Sequence, residues 1–170
     1  VKVEHRCRFM GLKALGNGVI SFKDVRVPKE NLVGEEGKGL KIALITLNTG
    51  RLTLPATCAG LAKTCLEICR GWAAERTQWG VPIWKHEAIS HVIAEMAATT
   101  YAMDSVSRLA SAMADRGGYD IRLEAAAAKE WNTTRAWEIV DKTLQLRGGR
   151  GYETEKSLAG REEFPVPVER

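Results

Sequence analysis

From Leu40 onward the apolar residues recur at alternating steps of four and three. Leu40, Leu44, Leu47, Leu54, Cys58, Leu61, Cys65, Ile68 and Trp72 form one row, and Arg51 stands in that same row. Such spacing keeps one side of an α-helix turned toward a partner helix along its whole length. About 40 residues fit the pattern, a rod of about 60 Å at 1.5 Å rise per residue. A helix of that length cannot cover its own stripe, so the remainder of the chain must supply helices that do.

Two further segments meet that need. One spans Glu87 to Ala114, with Ile89, Val92, Ile93, Met96, Met103, Val106, Ala110 and Met113 on its apolar side and Gly117 and Gly118 as its stop. The other spans Asp120 to Arg147, carries the strong helix former EAAAAKE, and is expected to bury Trp137, Val140 and Leu144 before Gly148 and Gly149 close it. Trp72, Trp131 and Trp137 are expected in the core, and Trp79 and Trp84 in or beside a turn. Short connections make the helices antiparallel neighbours in a bundle. A bundle of this kind ordinarily has a fourth member, and the sequence offers three, so an apolar groove is expected that associates with a second copy or with segments outside this chain. Upstream, VISFKDVRV (residues 19–27) reads as a strand stopped by Pro28, and PKENLVGEEGKG as a connecting loop. The expected fold is mainly α, a helical bundle preceded by a remnant β segment.

Charge and cysteine usage narrow the function classes. The formal net charge is +4, but Lys and Arg are spread rather than gathered in a block, which argues against nucleic acid and agrees with a phosphorylated ligand. Cys58, Cys65 and Cys69 lie along one side of the first helix and read as core residues; no His spacing completes a zinc site, and a reducing compartment follows. No apolar run reaches the roughly 18 residues of a membrane span. The first residue is Val1, and FPVPVER at the far end reads as the approach to another element, so a piece of a larger protein is expected.

Certain residues break the packing pattern. Arg51 is a charge among apolar neighbours and needs a partner, either a carboxylate on another helix or a ligand. Pro55 has no N–H for the carbonyl of residue 51, so a polar notch is expected there. Asn48 lies one turn before Arg51, and Gly50 lies between them. ERTQWG (residues 75–80) joins the first two helices with far more chemistry than a turn requires. His86 and His91 flank the second helix start, where a histidine commonly caps or packs. QLRGGRGYETE places glycines at 148, 149 and 151, and closely spaced glycines let a backbone lie flat against a ligand.

Taken in order, ISFKDVRVPKENLVGEEGKG, a helix with Arg51 in its row, AAERTQWG, HEAISHVIAEM and LQLRGGRGY resemble the C-terminal half of an acyl-CoA dehydrogenase, over about Val19 to Tyr152. The resemblance implies a C-terminal four-helix bundle over residues 36–170, its fourth helix missing, after the end of a middle β-domain over residues 1–35. It implies FAD as cofactor. Arg76, Gln78 and Trp79 match the turn that meets the FAD diphosphate of a neighbouring subunit; Gln145, Gly148 and Gly149 match the Gln-x-x-Gly-Gly segment on the adenine side; His86 lies along the cofactor's path. Arg51 matches the family arginine near acyl-CoA, and Asn48 stands where many relatives carry an aspartate near the CoA moiety.

The reaction so implied is α,β-dehydrogenation of a fatty acyl-CoA: a glutamate takes the α-proton and the β-hydride passes to the flavin. That glutamate is expected beyond Arg170, because the other location the family uses corresponds to Gly50, so no catalytic base is expected in this chain. Implied partners are an electron-transferring flavoprotein and further copies in a homodimer or homotetramer, in bacterial cytoplasm or mitochondrial matrix. Weak FAD binding and no turnover are expected of these 170 residues alone. The insert TEKSLAGREEF is expected to be a solvated loop. An acyl-CoA oxidase-like flavoenzyme and a non-catalytic helical interaction module are the alternatives.

Overall fold

The computed structural model describes residues 1–118 and 120–160. The chain forms two compact units, Val1–Ile42 and Ala43–Arg170.

In the first unit, β1 (Lys2–Cys7) and β2 (Asn17–Ser21) pair antiparallel, from Lys2 opposite Ser21 to Cys7 opposite Asn17, with a bulge between Val3 and His5. Glu4, at the bulge, accepts hydrogen bonds from Lys2 Nζ (2.6 Å) and Ser21 Oγ (2.8 Å), which hold its carboxyl below the usual carboxylate range. The strand expected over residues 19–27 is therefore shorter and shifted. It ends at Ser21, and Asp24 adopts a left-handed φ of 49° that no continuing strand could hold. Its partner β1 was not singled out from the sequence.

Next come α1 (Gly39–Glu75), the two-residue strands β3 (Thr77–Gln78) and β4 (Val81–Pro82), α2 (Glu87–Arg116), α3 (Arg122–Arg147), α4 (Gly149–Tyr152) and α5 (Glu155–Ala159). Three long helices thus appear where the periodicity predicts them. The predicted stops hold too, since Gly117 (φ 66°) and Gly148 (φ 61°) terminate α2 and α3 in the left-handed region. Cross-helix contacts give the directions. Asn132 meets Pro55 and Thr143 meets Cys69, so α1 and α3 run parallel, whereas Asn132 meets Met103 and Lys142 meets Glu95, so α2 runs against them.

The seam between the helices is built from small residues. On α1 the buried row is Pro55, Ala59, Ala62, Cys65, Cys69 and Ala73, against Met96 and Met103 of α2 and Ala136, Ile139 and Leu146 of α3. That row is one position away from most of the predicted one, and Leu54 (47% exposed) and Leu61 (38%) face outward. Alanine and cysteine let backbones approach closely and gain dense contact, which a leucine row would prevent. The same displacement corrects α3: Trp137 is 78% exposed and Val140 and Leu144 are half-buried, while Ala125, Ala128, Asn132, Thr143 and Leu146 are inside. Trp72 and Trp131 pack partly buried against the core, and the apolar side of α2 is as predicted, with Met96, Met103 and Ala110 buried.

Asn132 is wholly buried and binds all three helices together. The two hydrogens of its Nδ2 are shared among three acceptors, Pro55 O of α1 (3.0 Å) and, on α2, Met103 O (3.1 Å) and Ser107 Oγ (2.8 Å). Among the described residues its Oδ1 has no partner. Helix α1 continues unbroken through Pro55, whose missing N–H deprives the carbonyl of residue 51 of its intrahelical donor, while the Asn132 amide reaches the carbonyl of Pro55 itself. On the flank, Lys63 of α1 reaches Asp104 of α2 (2.8 Å), which also takes Arg108 (2.8 Å); these contacts hold the Asp104 carboxyl low but, being exposed, add little stability.

One correction remains. The insert expected as a solvated loop instead carries α5 within its described part, with Thr154 Oγ1 accepting from Ser157 N (3.4 Å) and Leu158 only 2% exposed; residues 161–164, and the FPVPVER segment, lie outside the described residues. No helix among the described residues is long and apolar enough to cross a membrane.

Replacing Asn132 by Leu is expected to lower unfolding free energy by about 2–3 kcal/mol, because several buried bonds are lost and their carbonyls stay buried; urea unfolding measures this, and an unchanged midpoint would show the amide to be idle. Burial raises the Cys65 and Cys69 thiols above their ordinary value. Alkylation at neutral pH should therefore reach half-buried Cys7 first and the buried pair only on unfolding, as peptide mapping would show.

Candidate functional site

The parallel course of α1 and α3 brings their C-terminal ends to the same end of the bundle, and two sequence-distant turns meet there. The first is the β3–β4 hairpin. Arg76 N still donates to Trp72 O (2.9 Å), and Ile83 N closes the hairpin on Arg76 O (2.8 Å). Thr77 pairs with Pro82 and Gln78 with Val81, leaving Trp79 (φ 51°) and Gly80 (φ 81°) as a two-residue turn with both φ positive, the form that matches strand twist. Glycine adopts this readily; Trp79 does so as a rare non-glycine residue, with its ring 86% exposed. His86 holds the hairpin from behind. Its Nε2 lies 3.3 Å from Gln78 O, and its ring meets Trp79 edge-on with centroids 5.3 Å apart. Of the two roles expected for a histidine here, it packs; it makes no side-chain cap on α2.

The second turn is Gly148–Gly151. Gly148 N donates to Gln145 O and Gly151 N to Gly148 O, both at 3.0 Å. The three glycines have different causes. Gly148 is needed for its φ of 61°, and Gly151 because a Cβ there would collide with the carbonyl of Leu144. Only Gly149 has neither constraint, with nothing within 4 Å of the place its Cβ would take.

Between the turns lies a cleft of about 500 Å³. Arg76 and Gln78 come from the hairpin, Gly148 and Gly149 from the second turn, and Trp72, Ile83 and Leu146 form the apolar part of its lining. Arg147, Arg150 and Glu153 complete it. The cleft therefore unites four of the predicted cofactor residues. Gln145 lines an adjoining cleft of about 420 Å³ that shares Gly148 and Gly149. Trp79 and His86 shape the hairpin without lining the main cleft. Asn48 and Arg51 are elsewhere: Arg51 precedes Arg76 by 25 residues, about 38 Å along a helix axis. There Arg51 Nη1 donates to Asn48 Oδ1 (3.0 Å), so its partner in this structure is an amide on its own helix rather than a carboxylate on another.

Sequence reasoning did not single out Arg147, Arg150, Glu153 or Trp72 for the site. The available signal was the pair of cations flanking Gly148–Gly149. The Arg147 guanidinium lies over the Trp72 ring, 4.9 Å from its centroid, and Arg150 Nη1 is 4.0 Å from Glu153 Oε1. Among the described residues three arginines and one glutamate line the cleft, and a planar fork such as Arg76 presents paired donors to phosphate or carboxylate oxygens. No cluster of metal-ligating side chains occurs among the described residues. The arrangement is suited to holding an anion.

Comparison with known proteins bears on the family to which the chain belongs. A family model described as acyl-CoA dehydrogenase, C-terminal domain, matches residues 37–162. A probable acyl-CoA dehydrogenase, FadE10, of Mycobacterium tuberculosis is 56% identical over 170 residues, taking in 100% of this chain and 26% of that protein. The mitochondrial very long-chain specific acyl-CoA dehydrogenase of Bos taurus is 38% identical over 149 residues, 88% of this chain and 23% of that protein. The butyryl-CoA dehydrogenase structure from Megasphaera elsdenii superposes with a TM-score of 0.85 at 31% identity, covering 99% of this chain and 42% of that one. This chain thus spans about a quarter of the length of the curated relatives it matches.

The glycine analysis is testable by thermal or urea unfolding. Gly151→Ala should cost about 2 kcal/mol or more through its backbone clash, and Gly149→Ala should stay within about 0.5 kcal/mol. The reverse order would show the turn's packing to be misassigned.

Proposed function

Because the chain belongs to the acyl-CoA dehydrogenase family, we propose that it is the C-terminal helical portion of an FAD-dependent enzyme that desaturates a fatty acyl-CoA thioester between Cα and Cβ. The observation that carries this is the meeting of Arg76 and Gln78 with Gly148 and Gly149 in one cleft, across 72 positions of sequence between Arg76 and Gly148.

The donor set of the cleft fits a dinucleotide diphosphate. Arg76 would give paired charge-assisted hydrogen bonds to phosphate oxygens, Gln78 an amide donor, and the bare backbone at Gly148–Gly149 room for close approach. Trp79 and His86 hold the hairpin that presents them, and Gln145, from the adjoining cleft, serves the adenine side. When bound, FAD supplies the acceptor for the substrate's β-hydride.

Arg51 and Asn48, far along α1, would instead orient the CoA thioester. One chain then serves substrate at one stretch of α1 and a neighbouring subunit's cofactor at the other, which calls for a homodimer or homotetramer. The α-proton goes to a glutamate outside these residues, since Gly50, before Arg51, has no side chain to receive it. Electrons leave to an electron-transferring flavoprotein, and the segment alone binds FAD weakly without turnover.

In the intact flavoenzyme carrying this segment, Arg76→Gln should raise the FAD dissociation constant about 10- to 100-fold, as expected for a charged hydrogen-bond donor. It should also abolish most of the melting-temperature rise that added FAD gives. Flavin fluorescence titration of the stripped enzyme measures the first; an unchanged constant would remove the reading's physical basis. Turnover with an electron-transferring flavoprotein, absent with oxygen alone, separates a dehydrogenase from an oxidase.

A further inference from the structure

A groove of about 890 Å³ runs between α1 and α2, and none of the residues lining it belongs to the cleft. Leu66, Gly71 and Ala74 of α1 and Ile93 and Ala97 of α2 line it, together with Trp84, which is 44% exposed. A second groove of about 500 Å³ on the same two helices takes in Ala56, Gly60 and Lys63 of α1. Contiguous exposed apolar surface of this kind marks an interaction site, as single exposed leucines do not.

Bordering both grooves, Ala56, Gly60, Lys63, Glu67, Gly71 and Ala74 follow one another at steps of three and four. That spacing puts them on one side of α1 over about 27 Å, and all six are exposed. Nothing among the described residues calls for glycine at 60 or 71. Neither has a positive φ, and nothing lies within 4 Å of the place a Cβ would take at either, although glycine weakens a helix interior relative to alanine. The order of the six is the same from either end: alanine, glycine, a charge, the opposite charge, glycine, alanine. Ala56 and Ala74, Gly60 and Gly71, and Lys63 and Glu67 share a midpoint at Cys65 to within half a residue. A two-fold axis makes that demand of a helix that packs on its own copy, since every residue is then met by its counterpart in reverse order. A helix of different sequence makes no such demand.

We infer that this side of α1 is a self-association surface: a second copy of the chain lays its α1 antiparallel into the groove between α1 and α2, about a two-fold axis at the level of Cys65. Gly60 then faces Gly71 of the second copy at both ends of the contact, where two bare backbones approach closely. Lys63 meets Glu67 of the second copy, twice over. Both charges are available for this. Glu67 is exposed and has no ion partner among the described residues, and Lys63, though 2.8 Å from Asp104, keeps its side chain 49% exposed with donors to spare. Two helices from each copy make four, the number that closes a bundle of this kind.

The intact flavoenzyme carrying this segment is measured by sedimentation velocity over a range of dilutions, with circular dichroism as the check on folding. Lys63→Glu and Glu67→Lys each bring like charges together twice per contact and should raise the dissociation constant of the oligomer about tenfold or more, most at low salt. The double variant restores opposite charges and should return the constant to within about threefold of the parent's. Loss of the Lys63–Asp104 pair is common to Lys63→Glu and the double variant, so recovery reports the contact between copies. Gly60→Leu and Gly71→Leu should dissociate the oligomer at unchanged helical content, because a leucine there has open space in its own chain. If all four single variants keep the parent's constant, or the parent stays monomeric at every concentration, this face takes no second copy and the inference fails. If the single charge variants weaken association and the double variant does not recover it, the two charges do not meet across a two-fold axis, and the inference fails as well. Arg76→Gln in the FAD titration decides the cofactor reading independently.

Discussion

The bundle depends on one amide. Asn132 ties Pro55 of α1 to Met103 and Ser107 of α2 from within α3. An apolar residue there would leave the helices free to slide, because a seam of alanines and cysteines offers few knobs to define a register. A buried polar contact with directional demands defines it. The Asn132 Oδ1, which has no partner among the described residues, is a local cost set against the three contacts of its Nδ2.

That register sets the geometry of the cleft. With α1 and α3 parallel and locked at Asn132 and again at Cys69–Thr143, their last turns finish side by side, and the hairpin after α1 faces the glycine turn after α3. The two turns that line the cleft are shaped by backbone features, a hairpin with two positive φ values on one side and a left-handed glycine on the other. A shift of either helix by one turn would separate Arg76 from Gly148 by about 5 Å.

Helix existence, stops and direction were legible in the sequence because period and glycine placement report them directly. Which row of α1 faces inward was not legible. Two adjacent rows both step by three and four; hydrophobicity favours the one holding Leu54 and Leu61, while close packing favours the one holding Ala59, Ala62 and Ala73. Trp137 fails for the same reason, as an indole cannot enter a seam that tight. Asn132, inside WNTTR, looks like a surface residue until three helices surround it. In the cleft, the resemblance to a known family pointed to Arg76, Gln78 and the glycine pair, whose meeting the fold makes visible. Arg147 escaped notice because the ring it packs on, Trp72, is 75 positions away, and no local pattern connects them.

The wall formed by Gly151 against Leu144 is a matter of steric fit, not of ligand. The side chains at 76 and 78 can therefore be exchanged without disturbing that wall, and the turn is inherited intact as masonry.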